Sequence, residues 1–199
     1  DIDGEAAWDY SGSSVSLNSD GTILAVSAPY HYTTGPYAGH VRVFQFSGGS
    51  WTNLGADIDA EASRDYSNSV SLSSDGTILA VGAHGHDGTG TNAGYVRVYK
   101  WDGSWTPLGA AIHGEAYDRS GTSVALSSDG TILAVGAVGS AAEGVNTGHV
   151  RVHQWSGGSW SPLGADIDGS AASEYSGHSV ALSSDGTILA VGAPYTNDS

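Results

Sequence analysis

The chain has 199 residues, 30 of them glycine, and neither cysteine nor methionine. That excludes disulfides, thiolate zinc sites and cysteine nucleophiles. Acidic residues outnumber basic ones 21 to 6, for a net charge of −15, which argues against nucleic acid and anionic membrane surfaces as partners. No apolar run is long enough to insert in a membrane and no secretory leader opens the chain, so any signal is expected to have been removed. With no initiator methionine, the chain is expected to be a processed product or an excerpt of a longer one.

In chain order the residues repeat. Ser14 to Ser19 alternates apolar and polar positions as a half-buried strand does, and Asp20-Gly21 supplies a tight turn. Thr22 to Ala28 is apolar on both faces, which suits a strand covered on both sides. Val41 to Phe46 alternates again, Gly48-Gly49 marks the next turn, and Ser50 to Leu54 forms a last strand. The string Ser/Asn-Ser-Asp-Gly-Thr-Ile-Leu-Ala-Val then returns around Asp75, Asp129 and Asp185, and the Val-Arg-Val strand returns at Val96 and Val150. The period is about 55 residues. No window has a useful helical period. Tandem four-stranded antiparallel units with two apolar faces bury themselves by packing one on another, so the expected fold is an all-β propeller. A β-solenoid would have much shorter coils. The expected domain is 1–199, with blades near 13–58, 68–112 and 122–167 and a half-blade at 177–197. About 3.5 blades leave a sheet edge exposed, to be completed by further blades of a longer chain or by a homo-oligomer.

The stretch Tyr175 to Tyr195, with Ser176-Gly177 before its first strand and Gly192-Ala193-Pro194 after its second, resembles the FG-GAP repeat of integrin α-subunit headpieces and related extracellular propellers, some fungal lectins among them. Ser11-Gly12, Ser120-Gly121 and Ser27-Ala28-Pro29 carry the same resemblance, as do the Val-Arg-Val strands. It implies a non-catalytic, extracellular or cell-surface module for protein binding, adhesion or surface-structure assembly. The alternatives are a lectin-like glycan binder and, third, a polysaccharide-acting enzyme. The family's calcium loop is shrunken here to Asn18-Ser19-Asp20-Gly21 and its counterparts. One carboxylate cannot supply calcium's six to eight oxygens, so the aspartate reads as a turn former. No cofactor or metal is expected, calcium being possible only away from that loop.

Candidate ligand-binding residues lie where the copies diverge, after each second strand. They are Tyr30, His31, Tyr32 and Tyr37 in the first copy and His84, His86, Asp87 and Asn92 in the second, rigid-rim groups suited to a protein or glycan. His84, His86 and Asp87 form only a weak metal pattern. Arg42, Arg97 and Arg151 recur inside the third strand, with Asp9, Asp65, Asp118 and Glu174 as expected inter-blade ion-pair partners. Trp51, Trp105 and Trp160 read as packing of outer strands. Asp1, Asp3, Glu5, Asp57, Asp59 and Glu61 read as solvated acidic connectors. No nucleophile elbow, zinc-protease or P-loop motif is present, so the chain reads as a non-enzyme.

Overall fold

The computed structural model describes residues 1–139 and 146–195. Asn197-Asp198-Ser199, which matches the N-glycosylation sequon, lies outside the described residues, as does most of the third copy's divergent stretch from Val138 to Asn146.

Among the described residues seventeen strands are arranged in four antiparallel sheets, and there is no helix. The first holds β1 (Val15–Leu17), β2 (Ile23–Ala28), β3 (His40–Ser47) and β4 (Ser50–Asn53) in that order, with β5 (Ile58–Asp59) pairing β3. The second repeats it with β6 (Ser67–Leu72), β7 (Ile78–Ala83), β8 (Tyr95–Trp101), β9 (Trp105–Pro107) and β10 (Ile112–His113). The third has β11 (Ser120–Leu126), β12 (Ile132–Ala137), β13 (His149–Ser156), β14 (Ser159–Pro162) and β15 (Ile167–Asp168). The last has β16 (Ser179–Leu182) and β17 (Leu189–Gly192) alone. The short strands β5, β10 and β15 were not expected from the sequence.

Each β-hairpin turn explains its own aspartate. In the second unit Asp75 Oδ1 accepts the Ser73 hydroxyl at 2.7 Å and the Thr77 N–H at 3.0 Å, and Gly76 takes φ 72°. Asp129 and Asp185 do the same, and hydrogen bonds from Thr22 hold Asp20 below the usual carboxylate range. These carboxylates are spent inside the turn.

The units pack side by side, β1 against β6, β6 against β11 and β11 against β16. Apolar residues of β2, β3, β6 and β7 (Val41, Val43, Val70, Leu79) fill the first core, and Val96, Val98, Leu126 and Leu133 fill the second. Polar links recur beside them. Ser14 and Ser16 accept the N–H groups of Val70 and Leu72 at 3.2 and 2.9 Å, and Ser69 and Ser71 accept those of Val124 and Leu126 at 3.0 Å. Outermost, the indoles of Trp105 and Trp160 donate to the Leu54 and Leu108 carbonyls of the preceding unit, both at 2.9 Å.

The sheets do not close on one another. Val15 is 60% exposed where its counterpart Val70 is 6% exposed, and Ile188 is 69% exposed where Ile23 is 8%. Ile23, Ile78 and Ile132 each sit against the turn glycine of the next unit (Gly76, Gly130 and Gly186), whereas Gly21 faces open space. The two ends therefore carry the two halves of the interface that joins every internal pair of units.

Candidate ligand site on the loop face

One end of every sheet carries the β2–β3, β7–β8 and β12–β13 loops and the connectors that enter each unit. Among the described residues, all eleven non-glycine residues with positive φ lie there. Eight flank an acid in one repeated tripeptide: Trp8-Asp9-Tyr10, Arg64-Asp65-Tyr66, Tyr117-Asp118-Arg119 and Ser173-Glu174-Tyr175. Such backbone costs about 1–3 kcal/mol per residue and persists where its surroundings over-determine it. The acid is what determines it. Asp9 accepts the Ala6 N–H at 2.8 Å, Asp65 that of Ala62 at 2.9 Å, Asp118 that of Glu115 at 2.9 Å and Glu174 that of Ala171 at 3.0 Å.

This use of the acids revises the expected ion pairs. Asp9 and Asp65 face His31 and His86, their carboxylate oxygens 2.7 and 2.9 Å from Nδ1, instead of Arg42 and Arg97. Arg42 instead reaches Glu5 at 3.6 Å and donates to the Asp3 carbonyl at 2.6 Å, while Arg97 pairs with Glu61. The connector glutamates are thus arginine partners rather than merely solvated groups. Of the expected pairs Arg151–Asp118 forms, at 3.2 Å, and Arg151 also holds Asp166 at 2.8 Å. Glu174 is a backbone cap. The arginines were expected to bridge neighbouring units, but each ties its third strand to the connector entering the same unit.

The candidate ligand residues divide in two. His31 and His86 are struts under the loops, and Asp87 accepts the Asn92 N–H at 2.7 Å to close its own loop. Tyr30, Tyr32 and Tyr37 come together at the surface. Tyr10 packs on Tyr30 (centroids 4.8 Å apart), Tyr30 on Tyr37 and Tyr66 (both 5.6 Å), and Tyr66 stacks on His84 at 5.6 Å with the rings 17° from parallel. This aromatic track runs from the first unit toward the second.

The track ends at an open cavity of about 720 Å³ spanning the second, third and fourth units, lined by Asn68, His84, Arg119, Tyr175, His178 and Tyr195 among others. No carboxylate lines it among the described residues. Asn68 sits at a register shift between Ser67 and Ser69, and Arg119 and Tyr175 are two of the positive-φ residues. A bulge and a strained turn thus aim side chains into the cavity. Tyr10, Asn68, Arg119, Tyr175, His178 and Tyr195 were not singled out from the sequence as ligand groups. Register shifts and positive φ at tyrosine or arginine leave no compositional mark.

Burial first, then the Arg119 charge, lowers the pKa of His84, and burial likewise lowers those of His40, His149 and His153. Below pH 6.5 the unfolded chain takes up protons that these native rings resist, so stability falls as pH falls from that point. The urea midpoint is expected to drop between pH 7 and pH 5 and to be flat from 7 to 8. A midpoint that rises on acidification across that window contradicts this.

No family model matches the chain, and no curated relative does. Solved structures do match. One is a candidate 6-phosphogluconolactonase of Bacteroides fragilis (TM-score 0.55, 18% identity, covering 77% of this chain and 38% of that one). A second is a candidate 6-phosphogluconolactonase of Bacteroides uniformis (0.60, 11%, 89% and 46%). The third is hydrazine synthase of Kuenenia stuttgartiensis (0.59, 15%, 94% and 43%). The chain spans less than half the length of each. At these identities the likeness is one of fold, and it corrects the expectation of a non-enzyme, because the architecture is shared with proteins named as enzymes. The chain is an all-β array of antiparallel sheets, similar in fold to these three proteins.

Proposed function

We propose that the sheets are blades of a β-propeller arc and that the loop-face cavity binds an anionic sugar derivative, an aldonate or a sugar phosphate. The observation that carries this is Arg119 beside His84 and His178 in a cavity that no carboxylate lines among the described residues, in a chain of net charge −15. Guanidinium recognises carboxylate and phosphate in a fixed fork, and the adjoining tyrosine track offers faces on which a sugar ring can stack. The names of two neighbours, 6-phosphogluconolactonases, agree with an acidic sugar. The FG-GAP-like repeat supports an extracellular or cell-surface setting. Calorimetric titration with 6-phosphogluconate, gluconate and glucose tests the reading. The two acids are expected to bind and glucose to bind at least tenfold more weakly, whereas equal affinity for all three contradicts it. Hydrolysis of the corresponding lactone above its spontaneous rate would extend binding to catalysis.

A second reading, assembly through the ends, is favoured by their complementarity. Ile188 of one copy has the shape to seat on the Gly21 face of another, as Ile132 seats on Gly186. Light scattering is expected to give a particle heavier than the 20.1 kDa chain, reduced toward the monomer by Ile188→Asp. A monomer at high concentration contradicts assembly and leaves ligand binding untouched.

A further inference from the structure

Under the loop of the first unit the ion pairs of Glu5 and His31 leave one neighbouring side chain, His40, unexplained. The ligand atoms of Glu5, His31 and His40 all lie within 4.8 Å of one another. His40 is 1% exposed, and neither of its ring nitrogens has a hydrogen-bond partner among the described residues. A buried imidazole with both nitrogens unmatched is costly unless something else binds it.

We propose that Glu5, His31 and His40 form a binding site for a divalent transition-metal ion of the zinc type, with Asp9 as the positioning residue for His31. With Asp9 Oδ2 2.7 Å from His31 Nδ1, a proton on Nδ1 satisfies that contact and leaves the lone pair on Nε2. Nε2 lies 3.7 Å from Glu5 Oε2, while the other glutamate oxygen faces Arg42 at 3.6 Å. Two imidazole nitrogens and one carboxylate oxygen suit zinc, with a fourth position open, and offer too few oxygens for calcium. The Arg42 charge opposes a cation here. Asp59, paired with His40 across β3 and β5, and nearby Asp57 offset it.

The repeat supplies its own controls. The second unit keeps the acid–histidine pair, Asp65 and His86, and the glutamate, Glu61, but has Tyr95 where His40 stands. The third keeps His149 and Glu115 but has Ser140 where His31 stands, a residue outside the described set. Only the first copy joins both histidines, so His40→Tyr and His31→Ser install side chains that the same scaffold carries elsewhere.

The experiment is zinc titration of the full chain, stripped with chelator, against a competing chromogenic chelator, with cobalt as a spectroscopic probe. The expected result is one saturable zinc per chain and tetrahedral cobalt bands. His40→Tyr and His31→Ser should each weaken binding at least tenfold, and Asp9→Asn by about 10- to 100-fold, with circular dichroism reporting the fold. His86→Ser is expected to change nothing. No saturable uptake, uptake indifferent to His40→Tyr, or uptake lost in His86→Ser overturns the site.

Discussion

Gly94→Ala is expected to lower the unfolding free energy by about 3 kcal/mol or more. Gly94 has φ 72°, and an added Cβ would stand 2.2 Å from the Ser120 carbonyl oxygen and 2.6 Å from its nitrogen. Both atoms are backbone of the next unit, and Ser120 is already tied there, donating to Ala93 O at 2.9 Å. Neither can retreat without opening the junction between units. Gly39 and Gly148 occupy the same place, with backbone atoms 2.8 and 2.1 Å from the added Cβ. The comparison is Gly103→Ala, where φ is 104° but nothing lies within 4 Å. That change carries the conformational term alone, about 1–2 kcal/mol. Urea denaturation of both variants checks the difference, and equal losses would mean that the inter-unit contact contributes nothing.

Arg119→Asn is expected to weaken binding of an acidic sugar by about 10- to 100-fold, the equivalent of one charge-assisted contact of about 1.5–3 kcal/mol. Asparagine is the replacement because residue 119 has φ 54°, which asparagine tolerates better than alanine. Folding is therefore largely spared, and the lost quantity is the positive charge facing the cavity. Glucose affinity should be unaffected. A variant that binds 6-phosphogluconate as the parent does would remove Arg119 from recognition.

The sequence announces the units because a 55-residue period, alternating strands and Asp-Gly turns each have a direct physical cause, and the strands read from that pattern form where it puts them, β5, β10 and β15 being additional. Tryptophan in the fourth strand was likewise readable, its indole binding the preceding unit. Partner choice was not. An acid one residue before Tyr10 or Tyr66 looks available to any arginine, yet the positive-φ turn aims it at its own backbone and at His31 or His86. The residues of the cavity were hidden for the same reason, since three units 50 or more residues apart contribute them and no local pattern links Asn68, Arg119 and Tyr195. His40 was hidden as well, because it occupies a strand position shared with Tyr95 and looks like packing.

Amide chemical-shift mapping of the full chain with 6-phosphogluconate locates the ligand. Saturable shifts are predicted at Asn68, His84, Arg119, Tyr175, His178 and Tyr195. Shifts confined to the outer strands around Trp51, Trp105 and Trp160, or none at millimolar ligand, would contradict the loop-face site.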